Sequence, residues 1–509
     1  MPSNEFGDFQ TPAALVAEIL LTLPDRNWSR ILEPTCGLGN FVRACSAANP
    51  TAQIIGIEAQ PHYAREARLT TASIIERDIF TMDLGKDLPW TADGPMLVTG
   101  NPPWVTNTQL SRLDSSNRPD RVNLRNLSGY DAMTGSSNFD IAEYIWLKLI
   151  TELRHESPAI SLLCKTQVAR NVLAYCAQFS LPVSSASLRL IDAKKWFGAA
   201  VDACLFTIDV NTGPASYSCD LYETLAAEIP ARRFGIVNGR LVADLDAYHR
   251  SSSLDGTCPV EWRQGMKHDA AAVMELAHQA GRVQTRAGTP VDIEDDYLYP
   301  LLKCTDVFRG RLSLNRWVIV PQRTLNEDTQ PLAQTAPKLW SYLTAHAAVL
   351  DHRKSSIYRN RPRFCVFGLG PYSFAPYKVA VSGLHKSAEF RLVGPVANKP
   401  VFFDDTCYFL PFQDPHEAAV TAALLQTSAA HDFFRALAFW DAKRPITKKL
   451  LQRLDLATIA ARADPAEITT SAQLLLTAAG IPATHASDPL PTTLPRLRDS
   501  WQTQNLPRR

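Results

Sequence analysis

Short apolar segments alternate with helical segments through the first 210 residues of this 509-residue chain. The segments that predict strands are Ile31–Leu32, 53–60, 73–80, 95–104, 158–165 and two within 187–210. Apolar residues at helical spacing fill the intervals, for example at 12–23 and 61–69. Strands that alternate with helices pair in parallel, because each helical crossover returns the chain to the same end of the sheet. The sequence therefore predicts a doubly wound, parallel α/β sheet.

The pattern changes after about residue 215. Asn238–Gly239 predicts a β-hairpin. We predict a helix over 266–281, mixed β structure over 298–412, where aromatic residues, Val and turn residues are frequent, and helices over 415–460. The chain is therefore expected to contain a first domain at 1–215, a second, mixed α+β domain at 216–480 and a flexible, proline-containing tail at 481–509.

The composition excludes several classes of protein. The chain has 52 Lys and Arg against 51 Asp and Glu, which excludes a uniform polycation but allows a local basic groove. The mean hydropathy is −0.12 and no apolar run reaches about 18 residues, so we expect no membrane-spanning helix. The amino terminus has no secretory pattern, and the ten scattered cysteines form no CxxC pair. We therefore expect a cytoplasmic protein without a metal site.

Two glycines follow the first strand, in the segment EPTCGLGNF (33–41). Glycines at a strand-to-helix turn let a ligand approach the backbone closely, although only part of the dinucleotide fingerprint is present. Glu58 ends the second strand, where an acid can accept hydrogen bonds from ribose hydroxyls. Asp78 ends the third strand and could accept from an adenine amino group, with Ile79 and Phe80 beside the ring. Singly each acid fits a solvated surface position; together they predict a ligand that contains adenosine.

The fourth predicted strand ends in Asn101-Pro102-Pro103-Trp104. The amino group of a nucleobase is a poor nucleophile, because its lone pair is delocalised into the ring. The Asn101 side-chain oxygen and the Pro102 carbonyl could accept its two hydrogens and favour a pyramidal, nucleophilic geometry. Trp104 offers a flat surface on which a base can stack. The polar segment 105–138 that follows predicts a long loop at this edge of the sheet.

In this order and position, the glycine turn, the two acids and NPPW resemble the amino-group DNA methyltransferases of the gamma class, which are TaqI-like adenine-N6 enzymes. Three more segments match that family: FQTP (9–12), SNFDIAEYIWLKL (137–149) and KKWFGAAVDACLF (194–206). The resemblance covers residues 1–210 closely, and beyond them it is one of layout. It implies a Rossmann-like methyltransferase domain that uses S-adenosyl-L-methionine, followed by a DNA target-recognition domain.

The resemblance also assigns roles to individual residues. The methionine part of the cofactor would lie against Thr11, Glu33, Thr35, Cys36, Gly37 and Gly39. Glu58 would hold the ribose, and Asp78, Ile79 and Phe80 the adenine. The target base would be held by Asn101, Pro102, Pro103 and Trp104, with Phe197 on its other face. Trp replaces the usual Tyr in the motif, and Asn rather than Ser at 101 favours adenine without excluding cytosine.

Basic residues interleave with aromatic ones in 354–364 and 371–386, a pattern typical of nucleic-acid surfaces. Arg359, Arg361 and Arg363 would share one face if they lie on a strand, and Lys378 joins them as a candidate DNA contact. A solvated strand face without a ligand is the alternative interpretation.

The resulting hypothesis is a site-specific DNA methyltransferase that flips adenine out of the duplex and methylates its N6 amino group. Its partners would be double-stranded DNA and, in a bacterial or archaeal restriction–modification or related defence system, a separate restriction endonuclease. The alternatives are an N4-cytosine DNA methyltransferase, an enzyme that methylates amino groups of RNA or protein, and a non-catalytic DNA-binding subunit.

Overall fold

The computed structural model describes residues 9–24, 26–104, 140–211, 213–279, 282–311, 315–482, 486 and 488–504. The predicted loop at 105–138 lies outside the described residues, as does the start of the 137–149 match. The chain forms two compact units, Met1–Asp246 and Ala247–Arg509.

The first unit is built on one ten-stranded sheet. Its strands are β1 (Arg30–Glu33), β2 (Gln53–Glu58), β3 (Ser73–Glu76), β4 (Met96–Gly100), β5 (Ala159–Lys165), β6 (Val183–Ile191), β7 (Ala203–Val210), β8 (Ser218–Tyr222), β9 (Arg232–Val237) and β10 (Arg240–Val242). The helices are α1 (Ala13–Leu20), α2 (Asn40–Ala48), α3 (Pro61–Ala67), α4 (Ile141–Leu153), α5 (Thr166–Gln178) and α6 (Ala193–Phe197). α7 (Leu245–Ser251) spans the division between the units.

The strand order is β10-β9-β8-β6-β7-β5-β4-β1-β2-β3. β3, β2, β1, β4 and β5 are parallel, and β7 lies antiparallel between β5 and β6. The expected doubly wound α/β sheet is therefore confirmed, whereas the expectation of parallel pairing throughout is wrong, because β7 and the β8–β9–β10 strands pair antiparallel. The connection reverses direction between β1 and β4, and in such sheets a ligand binds at this point, beyond the carboxyl ends of the strands.

The core explains why these strands are central. β1 and β4 are buried along their whole length, as expected for strands covered on both faces. α4 is apolar nearly all round, and almost every residue in it is buried, which is typical of a helix packed inside a domain. The ends of these buried elements are consequently fixed by packing, and the side chains that follow them have defined positions.

The predicted domain boundary at 215 is wrong. β8 pairs in parallel with β6, and β9 and β10 extend the same sheet, so the first unit continues to Asp246. The hairpin predicted at Asn238–Gly239 is confirmed, and both residues have positive φ, 50° and 71°, as a two-residue hairpin turn requires. The boundary was misplaced because the strands after 215 alternate apolar and polar residues and lack the continuous apolar pattern of the central strands.

The second unit contains mixed α and β structure, as expected. Its strands are β11 (Arg263–Gln264), β12 (Glu275–Gln279), β13 (Arg282–Thr285), β14 (Leu298–Leu302), β15 (Arg316–Ile319), β16 (Tyr377–Ser382), β17 (Arg391–Val393), β18 (Phe402–Phe403) and β19 (Cys407–Phe412). Its helices are α8 (Ala271–Met274), α9 (Cys304–Arg309), α10 (Leu332–Thr335), α11 (Pro337–Ala345), α12 (Ala347–Asp351), α13 (Pro415–Leu425), α14 (Ser428–Leu437), α15 (Lys448–Leu451), α16 (Leu456–Arg462), α17 (Pro465–Ala478) and α18 (Leu490–Gln504). The strands form sheets of order β11-β19-β16-β17 and β13-β12-β15-β14-β18.

Two sequence predictions for this unit are wrong. The helix expected at 266–281 is limited to α8, and β12 follows it at once, because pairing with β13 and β15 overrides the local helical spacing. The tail expected at 481–509 contains α18, whose Leu494, Leu497 and Trp501 are buried. These three residues lie at spacings of three and four, so they form the apolar face of a helix.

Candidate active site

A cavity of about 400 Å³ lies in the first unit at the carboxyl ends of β1, β2 and β4. Most of the residues that the sequence assigns to a ligand line it: Thr11, Glu33, Thr35, Cys36, Gly37, Glu58, Asp78, Ile79, Phe80, Asn101 and Pro103. Gly39, Pro102, Trp104 and Phe197 do not line this cavity. Further lining residues, to which the sequence assigned no individual role, include Phe9 and Gln10 of the matched segment FQTP, Ile141 and Ile145 of the matched segment 137–149, and Tyr63.

The turn between β1 and α2 requires its two glycines for different reasons. Gly37 has φ of 51°, and a Cβ there would come within 2.7 Å of the Gln10 side chain, which accepts a hydrogen bond from the Leu38 N–H at 3.1 Å. Gly39 has φ of 80°, and a Cβ there would lie 3.2 Å from the Ala67 backbone. Gly37 therefore contributes to the cavity wall, whereas Gly39 allows close packing of α2 on α3.

Glu58, the last residue of β2, is held in a fixed orientation. Its Oε2 accepts the Gly37 N–H at 2.8 Å, and its Oε1 accepts the Gln60 N–H at 2.8 Å. The side chain is buried, with 7% exposed, and it lines the cavity. Each carboxylate oxygen can accept more than one hydrogen bond, so both can still receive hydroxyl donors from a ligand.

A second carboxyl group, Glu33, lies at the end of β1. Its Oε2 accepts the Val42 N–H at 3.0 Å. Burial raises the pKa of Glu33 well above its ordinary value, and the negative charge of Glu58 raises it further. Burial, with the charges of Glu33 and Glu58, also raises the pKa of Cys36. A cationic group bound in the cavity would favour the ionised forms of both carboxyl groups and would be attracted to them.

The loop after β3 forms an apolar slot with one acid at its edge. Asp78 lies two residues beyond the strand, and its Oδ1 accepts the Phe80 N–H at 2.9 Å, which fixes the turn Ile79–Thr81. Ile79 and Phe80 are buried, and the Phe80 ring packs edge-to-face on Tyr144 at 5.1 Å. Such a slot suits a flat, aromatic ligand group with a polar edge.

A buried lysine fixes the backbone directly after this loop. Lys148, in α4, donates to the Met82 carbonyl at 2.6 Å and forms an ion pair with Glu152 at 2.6 Å. Glu152 in turn accepts the Leu84 N–H at 2.8 Å. This support was not predicted from the sequence, although a lysine inside the otherwise apolar segment YIWLKLI is a visible signal that its charge is paired.

Asn101 provides an unused acceptor at the cavity. Its Nδ2 donates to the Phe9 carbonyl at 2.9 Å, and since a carbonyl can only accept, this bond fixes the orientation of the amide. The Asn101 Oδ1 is buried and has no hydrogen-bond partner among the described residues. The Thr35 hydroxyl is in the same situation. A buried acceptor without a donor costs roughly 1–3 kcal/mol, so both atoms are suited to a ligand that brings donors.

Three aromatic rings pack together beside Asn101. Trp104 contacts Phe197 at a centroid distance of 5.2 Å and an interplanar angle of 74°, and the Phe9 ring lies 5.6 Å from Trp104 and 5.7 Å from Phe197. The structure thus brings Trp104 and Phe197 together, as the sequence predicts. A base sandwiched between two rings needs parallel planes about 7 Å apart, so the observed edge-to-face arrangement does not hold one between them.

The carboxyl end of the NPPW loop is fixed by Lys165, the last residue of β5. Its Nζ donates to the Trp104 carbonyl at 3.1 Å and pairs with the Asp140 carboxylate at 2.7 Å. The other Asp140 oxygen accepts the Ala142 N–H at 3.1 Å, at the start of α4. Burial raises the pKa of Asp140, and it raises the pKa of the neighbouring Glu143 to about 7.

The structure does not place the predicted DNA contacts of the second unit on one strand face. Arg359, Arg361 and Arg363 are exposed but follow the turn Ser356–Tyr358 and do not lie on a strand. Arg361 bonds to Asn326, and Arg363 pairs with Asp351 at 2.9 Å. The prediction for Lys378 is wrong, because this residue of β16 is 1% exposed and donates to the Val401 carbonyl at 2.8 Å.

No helix in the described part of the chain is long and apolar enough to cross a membrane. The described residues also contain no group of three or more His, Cys, Asp or Glu arranged to hold a metal ion.

Comparison with known proteins identifies the family. No family model matches the chain. It is 40% identical over 474 residues to the type II methyltransferase M.NspV of Nostoc sp. (strain ATCC 29411 / PCC 7524), and the match covers 90% of this chain and 97% of that protein. The chain belongs to the type II methyltransferase family. This methyltransferase is also 34% identical over 104 residues to the type II methyltransferase M.CvrRI of Paramecium bursaria Chlorella virus XZ-6E, across 26% of that protein.

The fold of this methyltransferase resembles that of a solved restriction–modification enzyme. The Type IIL enzyme MmeI, solved in complex with DNA, superimposes with a TM-score of 0.52 over 98% of this chain and 76% of its own, at 11% identity. The cofactor of this methyltransferase is S-adenosyl-L-methionine. The cavity fits that molecule: it has the volume for it, an unpaired Thr35 hydroxyl, an acidic wall for its cationic part and an apolar slot for its adenine.

Proposed function

We propose that this methyltransferase is a gamma-class enzyme that transfers a methyl group from S-adenosyl-L-methionine to the N6 amino group of adenine in duplex DNA. The observation that carries the proposal is the buried Oδ1 of Asn101, which lies at the cavity beyond the end of β4 and has no hydrogen-bond partner among the described residues. A protein acceptor in this position suits a substrate group that brings N–H donors to the cofactor.

The chemistry assigned to Asn101 follows from the electronic structure of a base amino group. Hydrogen bonds from that group to the Asn101 Oδ1 and to the Pro102 carbonyl favour a pyramidal nitrogen, whose lone pair can attack. The bound cofactor supplies an electrophilic methyl group on its sulfonium. The amino nitrogen loses its proton after the methyl group has arrived, so the site needs no strong general base beforehand. The acceptors act most strongly in the transition state, where positive charge develops on nitrogen.

The cofactor would be held by the residues around the cavity. Glu58, already oriented by two backbone N–H groups, accepts the ribose hydroxyls. Asp78 accepts from the adenine amino group, and Ile79 and Phe80 flank the ring. The methionine part lies against Thr11, Glu33, Thr35, Cys36 and Gly37, where the acidic wall favours its cationic ammonium and sulfonium groups.

Two observations support DNA as the substrate and adenine as the base. M.NspV is a type II methyltransferase, and MmeI was solved with DNA. Asn at 101 favours adenine, because the resemblance associates Ser at this position with cytosine enzymes. A restriction–modification role follows from the same relatives and implies a separate endonuclease that cuts unmodified DNA.

The test is mass spectrometry of nucleosides from bacterial genomic DNA incubated with the protein and S-adenosyl-L-methionine. We expect N6-methyladenine to increase above the level in untreated DNA with the wild type, and to increase far more slowly with Asn101→Ala. Detection of N4-methylcytosine and no N6-methyladenine would show that the methylated base is cytosine. Methylation of RNA or protein alone, with unmodified DNA, would overturn the proposal.

A further inference from the structure

One surface of the second unit combines two stacked rings with exposed cations. It includes neither the residues that line the cavity nor the arginines at 359–363. The Phe308 ring, at the end of α9, stacks on the His385 imidazole, with centroids 4.0 Å apart and planes 8° from parallel. Arg309, whose charge acts on His385, and Arg311 follow Phe308 in the chain on either side of Gly310, and Lys386 follows His385. We call these five side chains, Phe308, Arg309, Arg311, His385 and Lys386, the α9 surface.

The backbone beneath the α9 surface is fixed. Gly310 ends α9 with φ of 65°, and Arg391 donates to the Val307 carbonyl at 3.3 Å and to the Phe308 carbonyl at 3.1 Å. Between β16 and β17, the Ser382 hydroxyl hydrogen-bonds to His385 Nδ1 at 2.7 Å. A partner that binds here therefore meets side chains on an ordered backbone, and less conformational entropy is lost on binding.

The charge of the α9 surface is not neutralised. Arg309, Arg311 and Lys386 are exposed, and none has an acidic partner within the part of the chain that the structure describes. The nearby Glu389 pairs with Arg391 at 3.5 Å. Arg309 lies close enough to His385 that its charge, after burial, lowers the pKa of the imidazole. In contrast, two of the three arginines at 359–363 already bond to Asn326 or Asp351.

We propose that the α9 surface binds the phosphate backbone of duplex DNA and that the arginines at 359–363 do not. Exposed cations without acidic partners gain most from a polyanion, because they lose no existing ion pair when they bind it. Phosphate contacts of this kind orient a protein on the duplex and carry no sequence information themselves. The inference rests on the proposed function, since it assumes that DNA is the substrate.

The experiment compares two triple variants that remove the same number of charges. One is Arg309→Ala/Arg311→Ala/Lys386→Ala, and the other is Arg359→Ala/Arg361→Ala/Arg363→Ala. Affinity for a short mixed-sequence DNA duplex is measured by fluorescence anisotropy over a series of salt concentrations. Roughly 0.9 counterions are released per phosphate contact, so the plot of log affinity against log salt should become less steep by about 2–3 in the first variant. The same variant should bind DNA at least tenfold more weakly at low salt.

The second triple variant should bind DNA almost as the wild type does. Unchanged affinity and slope in the first variant would overturn the inference and leave the surface to another anionic partner. An equal loss in both variants would also overturn it, because the effect would then come from net charge alone. The charge-retaining variant Arg309→Lys/Arg311→Lys should keep most of the slope.

Failure of the inference is distinguishable from failure of the proposed function. If the wild type itself binds no DNA under any salt condition, the proposed substrate is wrong. Thermal unfolding of each variant controls for folding of the second unit, and calorimetric titration of S-adenosyl-L-methionine controls for the cofactor cavity, which no substituted residue lines. We expect the same cofactor affinity in all of them.

Discussion

The Asn101 side chain donates to the backbone carbonyl of Phe9 across 2.9 Å, which joins residues 92 positions apart in the chain. This bond uses one N–H of the Asn101 amide and fixes its orientation, which leaves Oδ1 at the cavity without a hydrogen-bond partner among the described residues. The amino-terminal segment thus decides which way the amide of the NPPW motif faces. Because the acceptor is a backbone carbonyl, it is present whichever residue stands at position 9.

Asn101→Ala should reduce the single-turnover rate of methyl transfer by roughly 100- to 1,000-fold, since one preorganised acceptor for the developing charge is lost. Cofactor affinity should change little. Asn101→Asp serves as a matched comparison, because it keeps an acceptor but replaces the donor to Phe9 with a second acceptor. Rapid-quench kinetics measure the rate, and a rate near that of the wild type in Asn101→Ala would remove the residue from the chemical step.

Glu58→Ala should weaken cofactor binding by about ten- to a hundredfold, the range for one charged hydrogen bond. Titration calorimetry with S-adenosyl-L-methionine measures the effect. Glu76→Ala is the matched control, because Glu76 ends the neighbouring strand β3 but pairs with Arg68 in an exposed position. Equal affinities in the wild type and Glu58→Ala would exclude Glu58 from the ribose site.

Lys165→Met should lower the single-turnover rate between about tenfold and a hundredfold, because the Trp104 carbonyl and Asp140 lose their common donor and the base-holding loop shifts. Lys165→Arg keeps the charge and should recover part of the rate. A structural role alone would lower the thermal stability of both variants without separating their rates. Cofactor affinity measured alongside tests whether the change is confined to the target base.

The buried Lys378 should make the free energy of unfolding depend on pH. Burial lowers its pKa to about 7, whereas the unfolded chain should titrate near the ordinary value of 10.5. Between these values the unfolded chain binds more protons than the folded one, so this residue makes stability rise with pH from about 7 upward. Lys378→Met should remove that rise and raise the melting temperature at pH 7. Lys449→Met, at an exposed position, is the control that should leave the profile unchanged.

Most residues that line the cavity could be placed from the sequence, because they lie at the ends of buried strands or just beyond them. Glu33, Glu58 and Asn101 are placed by β1, β2 and β4, whose apolar segments are visible in the sequence, and parallel strands bring their carboxyl ends to one edge. Phe9 and Gln10 could be matched to a motif, but their contacts with Asn101 and Leu38 come from a separate segment and depend on tertiary packing.

The second unit was harder to predict, because its contacts join distant segments with weak local patterns. Arg359, Arg361 and Arg363 alternate as they would on a strand, yet they follow a short helical turn and belong to no strand in the described structure. Lys378 alternates with apolar residues in β16 like a surface residue, but packing of the second unit places it inside. Burial of a charged residue is decided by elements far away in the chain, which local periodicity does not report.

The packing of Trp104 against Phe197 bears on how a target base enters. The rings meet edge-to-face at 5.2 Å, and Phe9 contacts both, so they must separate before a base can stack between them. In the proposed function the target amino group lies inside the duplex, so reaching the cofactor would require extrusion of the base at a cost of a few kcal/mol. Stacking on each ring contributes about 1–3 kcal/mol, which offsets that cost.

Base flipping should therefore be visible with 2-aminopurine at the target position. We expect its fluorescence to change on binding there and not at the neighbouring positions, which serve as the control. Both aromatic rings quench the probe, so Trp104→Ala and Phe197→Ala should give brighter signals if they still flip the base. Phe197→Ala should also reach its final signal faster than the wild type, because one of the rings that must move apart is absent. A wild-type signal that stays constant while methylation proceeds would contradict base flipping, and equal rates in Phe197→Ala and the wild type would show that ring separation does not limit entry.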